Sequence, residues 1–165
     1  MRHLLLLAFI FALALPIGKA KAESFFASDA YWNGKTAFEK GDYETALKLW
    51  KKPADEGVGE AQYFIGALYH GGMGVEKDFK KAMDWYQKAA KQGVASAQMG
   101  IGSLYGDGLG VEKDYIKARM WFSISAHNGS ERAEMNLKKV AARMTEEEIK
   151  KAEAMAMDWV KANEK

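Results

Sequence analysis

Residues 61–93 read AQYFIGALYHGGMGVEKDFKKAMDWYQKAAKQG, and residues 97–129 read AQMGIGSLYGDGLGVEKDYIKARMWFSISAHNG. Moving the first stretch by thirty-six places lays Gly66 on Gly102, Tyr69 on Tyr105, Asp78 on Asp114, Ala82 on Ala118 and Trp85 on Trp121. Self-similarity at one fixed period is the mark of a repeat architecture. Each copy carries two short amphipathic helices that cannot bury their apolar faces alone, so neighbouring copies must stack to form one continuous core. The expected fold class is all-α, a solenoid of helix pairs.

Working outward, the full copy predicts a helix from about Glu60 to Tyr69, a loop over His70 to Lys77, Asp78 as N-cap, a helix over Phe79 to Gln92, and Gly93 just past its end. The next copy repeats this from about Ser96 to Tyr105 and from Tyr115 to Asn128. Upstream, Asp42, Ala46, Leu49, Trp50 and Gly57 fall on Asp78, Ala82, Trp85, Tyr86 and Gly93, while Gly34 to Gly66 is only thirty-two places. The first unit is therefore shortened in its inner loop, as terminal repeats often are. Pro53 lacks an N–H for the Leu49 carbonyl, which predicts a kink or a tightened last turn. Gly66 and Gly102 stand inside helices, where glycine costs about 1 kcal/mol relative to alanine. Close approach to a bulky partner offsets such a cost, and Trp85 and Trp121 are the expected partners. The glycine-rich loops need positive φ, and Val75 and Val111 are expected to plug them into the core.

Beyond Gly129 the register lasts one more helix, with Ser130 placed to cap it. Thr145-Glu146-Glu147-Glu148 is a capping box before a last helix from Glu146 to about Ala162, which is expected to close the stack as a lid. The expected layout is repeats at about 29–57, 60–93 and 96–129 with a C-terminal capping pair at 130–163, all within one domain spanning 23–165.

The start of the chain has a different character. A short basic lead containing Arg2, an apolar run from Leu4 to Ile17 and Ala20-Lys21-Ala22 form the pattern of a secretory signal peptide over residues 1–22, cleaved near Ala22. The run is fourteen residues, short of the ~20 that a spanning helix needs. Cleavage removes Arg2, Lys19 and Lys21 and no acids, taking the formal charge from +2 to −1. The near-balanced remainder lacks the basic footprint of a nucleic-acid binder or of electrostatic membrane attachment. No cysteine is present, so an exported chain must hold together by its core alone. The expected location is the periplasm or the medium.

At these residues the chain resembles the Sel-1-like repeat family, tetratricopeptide-type helix pairs with a longer loop inside each pair. The resemblance rests on Gly66-x-x-Tyr69, Gly72-Met73-Gly74-Val75, Asp78, Lys81-Ala82, Trp85-Tyr86, Ala89-Ala90 and Gly93. It recurs at Gly102-x-x-Tyr105, Gly108-Leu109-Gly110-Val111, Asp114, Lys117-Ala118, Trp121-Phe122 and Gly129, with Ser125 in place of the first paired alanine. It implies a right-handed α-solenoid and an adaptor or scaffold that binds other proteins.

No cofactor and no metal site is expected. The glycine loops lack the preceding strand and the Lys-Ser/Thr of a phosphate loop. The mature chain has only His70 and His127, and no H-E-x-x-H or G-x-S-x-G stretch, so no catalytic residues are assigned. In a stack of this type the first helix of each pair lines the concave face, and counting from the buried glycine selects groove positions. These are Tyr31, Lys35 and Phe38, then Tyr63, Ala67 and His70, then Met99, Ser103 and Gly106, with Met135 and Lys139 from the fourth such helix. Aromatic and methionine side chains with a few cations suit a protein or peptide partner, such as an envelope enzyme or a sensor protein. For Phe38 and Met135, packing on a neighbouring helix competes with ligand contact. A hydrolase acting on cell-wall or β-lactam substrates and a structural or stress-related periplasmic protein are the alternatives.

Overall fold

The computed structural model describes residues 29–163. The predicted signal peptide, its cleavage point near Ala22 and the start of the mature chain up to Ser28 lie outside them. Among the described residues there are eight helices and no strand. They are α1 (29–39), α2 (Tyr43–Asp55), α3 (Gly59–Gly71), α4 (Phe79–Ala90), α5 (Ala95–Asp107), α6 (Tyr115–His127), α7 (Glu131–Ala141) and α8 (Glu146–Asn163). Helices α3 and α4, and α5 and α6, pack as pairs, and α2 on α3 and α4 on α5 join one pair to the next. At the C-terminal end α7 and α8 each pack on α6.

Three N-caps stand in register. Asp42, Asp78 and Asp114 accept from the amides of Thr45, Lys81 and Lys117 at 3.1, 3.0 and 2.9 Å, satisfying otherwise orphaned donors of each second helix. The amides of Asp78 and Asp114 donate back to the carbonyls of Tyr69 and Tyr105, closing each long loop on its own first helix. Val75 and Val111 are half-buried against the core, as expected, with Met73 and Leu109 beside them. Gly74 and Gly110 have φ of 67° and 69°. A Cβ at either would lie 2.7 Å from the Cβ of Tyr43 or Phe79, so each loop crosses the start of the preceding second helix at backbone contact.

Three expectations need correction. The rings that meet Gly66 and Gly102 are Tyr86 and Phe122, each 2.6 Å from a Cβ placed on the glycine, and Trp50 meets Gly34 in the same way. Trp85 and Trp121, one position earlier, pack backward on the core of the preceding repeat. Adjacent helical residues point about 100° apart, so a neighbouring aromatic pair serves two different partners. Secondly, the tightened last turn of α2 is not a signature of Pro53. Gly57 donates to Ala54 and Val58 to Pro53, and the same two bonds recur from Gly93 and Val94 and from Gly129 and Ser130, where no proline is present. The glycine after each second helix causes it. The Ser130 side chain makes no cap bond to α7.

A polar ladder runs between repeats. Gln62 donates to the Ala54 carbonyl at 2.9 Å and Gln98 to the Ala90 carbonyl at 3.1 Å. Their own oxygens accept from Gln92 and Asn128 at 2.8 and 2.9 Å. Each glutamine thus satisfies a helix-end carbonyl of the preceding pair while being held by its own pair. The third place in register is Glu134, which has no amide to donate and is exposed. The ladder ends there. Ser125, the departure from the paired alanines, is fully buried and donates to the Ala95 carbonyl at 2.7 Å.

Candidate functional site

The second-helix rings also touch the first helix of the following pair, and the residue they meet changes along the chain. Trp50 stacks on Phe64 with centroids 4.5 Å apart. Tyr86 lies against Gly100, where a Cβ would fall 2.8 Å from the ring. Phe122 shares with Asn136 the wall of an open cleft of about 460 Å³. Phe64, Gly100 and Asn136 are thirty-six residues apart. At the first step an aromatic fills the space, and at the second the absence of a side chain lets α3 and α5 touch. At the third, Asn136 lines a cleft that stays open between α5 and α7.

That cleft has walls of different character. Ser103, Gly106 and Asp107 come from α5, while Asn136, Lys139 and Val140 come from α7, and Tyr115 and Phe122 of α6 lie below. Arg143, just past α7, donates from Nη1 to the Tyr115 hydroxyl at 3.3 Å and lies 5.8 Å from that ring's centroid. Among the described residues neither Lys139 nor Arg143 forms an ion pair.

The predicted groove residues do not stand together. Ser103, Gly106 and Lys139 meet in the cleft. Tyr31 and Phe38 belong to an aromatic cluster at the other end, with Tyr31 on Phe64 at 6.2 Å and Phe38 on Tyr43, Trp50 and Phe64 at 5.2 to 5.8 Å. Phe38 is therefore a packing residue, because the shortened first unit folds Tyr43 directly over it. Lys35 lies over Trp32 at 5.2 Å. Tyr63 stacks on Tyr86 at 5.9 Å, Met99 packs on the core around Phe122 and Val140, and Ala67 is half-buried. Met135 is 59% exposed and stands outside the cleft. Asp107, Tyr115, Asn136 and Arg143 were not among the expected groove residues. The signal for Asn136 was present, since it breaks the series begun by Phe64 and Gly100.

His70 ends α3 with Nδ1 3.3 Å from the Tyr86 hydroxyl, its ring edge-on to Phe79 and Tyr86. Burial holds its pKa below the usual histidine value, Lys77 lowers it further, and Asp107 opposes both. Burial also raises the Tyr86 pKa, helped by Tyr63, so the phenol stays protonated. Within the cleft no hydrogen bond joins a hydroxyl to a histidine or a carboxylate. Among the described residues no group of three His, Asp or Glu stands together as a metal site, and no helix is long and apolar enough to cross a membrane.

Helix pairs stacked in register, joined by a repeating polar ladder and opening along the first-helix face, define an α-solenoid. The profile of the Sel1 repeat matches residues 21–58, 59–94 and 95–130, and the chain belongs to that family. It is similar to a solved protective antigen present in uropathogenic Escherichia coli strains that displays an SLR fold, at 30% identity and TM-score 0.78 over 85% of this chain. It is also similar to a solved Sel1 repeat protein from Oxalobacter formigenes, at 30% identity and TM-score 0.62 over 74% of this chain. The chain spans 31% and 51% of the lengths of these two proteins. None of the curated proteins matches it. Sel1 repeat proteins generally mediate protein–protein interaction and are typically non-catalytic.

Proposed function

We propose that this protein is an exported, non-catalytic interaction module of the periplasm or the medium. It holds a protein or peptide partner, such as an envelope enzyme or a sensor protein, on the face formed by α1, α3, α5 and α7. The observation that carries this reading is the cleft between α5 and α7, which leaves hydrogen-bonding and charged side chains over an aromatic floor. Elsewhere on that face Tyr31, Phe38, Tyr63 and Met99 are engaged in packing. Pockets with a few placed polar groups over apolar walls are the usual form of a binding site. The N-terminal pattern of residues 1–22 supports export.

The test is affinity capture from an envelope extract with the mature chain and with a variant whose cleft is filled by uncharged bulk, Ser103→Phe with Asn136→Phe. The parent should retain one or a few proteins and the variant should lose them, at an unchanged melting temperature. Retention of nothing by the parent, or of the same proteins by the variant, refutes the proposal.

A further inference from the structure

Resting on that cleft as the partner site, we infer that the segment it takes is acidic: a short extended peptide stretch with an Asp or Glu side chain beside an apolar one. Lys139 and Arg143 are four residues apart along one side of the cleft and both line it. Neither is neutralised by an ion pair among the described residues. Tyr115 fixes Arg143 through its hydroxyl and its ring face. A guanidinium held in place before binding loses less freedom on meeting a carboxylate, and its parallel N–H groups match the two oxygens. Asn136 on the same wall and Ser103 opposite can bond a peptide backbone, and the half-buried Tyr115 ring, beside the buried Phe122 and Val140, offers apolar contact for a neighbouring side chain.

The opposite wall sets the limit. Asp107 can only accept, so it repels a second anion and favours a donor such as a peptide N–H or a basic side chain. A long polyanion would have to pass it. The cleft is thus polarised across its width, with the carboxylate of the occupant on the α7 side.

Random heptapeptides displayed on phage, selected on the mature chain, read this directly. Recovered sequences should be enriched in Asp or Glu next to an aromatic or aliphatic residue. One of them, made as a free peptide, should bind about tenfold more weakly to Lys139→Gln with Arg143→Gln than to the parent, and high salt should weaken binding to the parent more than to the variant. Recovery of no sequences, recovery of sequences without acidic enrichment, or equal binding by the neutralised variant overturns the inference. Peptides without acids that are nevertheless lost on filling the cleft with Ser103→Phe and Asn136→Phe overturn it while leaving the cleft as the partner site. Acidic peptides bound equally by the parent and both variants overturn the inference and the site together.

Discussion

Two glycines of α5 show that one residue type serves opposite ends within a single helix. At Gly102 a Cβ would fall 2.6 Å from the Phe122 ring and 3.1 Å from the Ala118 carbonyl, so the ring and the backbone of α6 would both have to shift. Gly102→Ala should cost about 1–3 kcal/mol by overpacking. At Gly106 the nearest atom is the Ala118 Cβ at 3.6 Å and φ is not positive, so alanine fits without strain. Gly106→Ala should stabilise by about 0.5–1 kcal/mol, the helix-propensity difference. Urea unfolding of the two variants checks both signs, and equal shifts would mean that the close approach at Gly102 is not the cause. His70 supplies a pH dependence at the same scale. Its folded pKa lies below the usual 6.5, so between the two values the unfolded chain binds more protons. Stability contributed by the neutral ring is complete above about 6.5 and is lost as pH falls toward the lower folded value. Unfolding midpoints of the parent should decline on acidification through that window, and His70→Gln should flatten the decline.

At the scale of the element, the buried glutamine is what one pair requires of the next. Gln98 donates a hydrogen bond to the Ala90 carbonyl and accepts one from Asn128. Gln98→Glu keeps the acceptor, loses the donor and places a charge at a position with no solvent exposure. The cost should be about 2 kcal/mol or more at neutral pH. It should shrink on acidification, because burial raises a carboxyl pKa and the protonated form can donate again. Urea midpoints across pH measure this; a variant as stable as the parent at pH 7 would remove the ladder from the account. This ladder was not legible in the sequence, because Gln62 and Gln98 find their partners on other helices, 8 and 30 residues away. The loops, caps and helix ends were legible, because Asp78, Asp114, Gly93 and Gly129 act through their own backbone neighbourhood. The ring partners were misread because Trp85 and Tyr86 are adjacent, and which of two adjacent rings turns inward depends on the rotation of the whole helix. The cleft was half legible. Counting from the glycine found Ser103, Gly106 and Lys139, but Arg143 lies beyond the regular helix and is placed by Tyr115, which no spacing encodes.

For the whole molecule, the end of the repeat pattern and the site coincide. Helix α7 carries Glu134 where the ladder needs glutamine and Asn136 where α5 has glycine, so it neither bonds to the preceding pair in the repeat's manner nor closes on α5. It is kept in place through α6. Arg119, only 13% exposed, donates to the Leu137 carbonyl of α7 at 3.3 Å and pairs with Glu153 of α8 at 2.8 Å. Trp159 of α8 meets Trp121 edge-on at 5.3 Å, and Ala152 and Ala156 are buried. The lid therefore holds the cleft wall indirectly, through a shared arginine. Removing residues 145–165 takes away the Glu153 partner and the cover of Trp121, and should cost about 3–5 kcal/mol at ordinary values for buried side chains. In an array whose units interact with nearest neighbours, that loss should fall unevenly. Amide exchange should rise most in α7 and α6 and least in α2 and α3, and the truncated chain should self-associate in size-exclusion chromatography through the uncovered face of α6. Arg119→Leu keeps the lid but cuts both polar ties, so it should loosen α7 and α8 without self-association. Uniform acceleration of exchange along the truncated chain would mean that the stack unfolds as one unit, and that α8 is part of the core and not a lid.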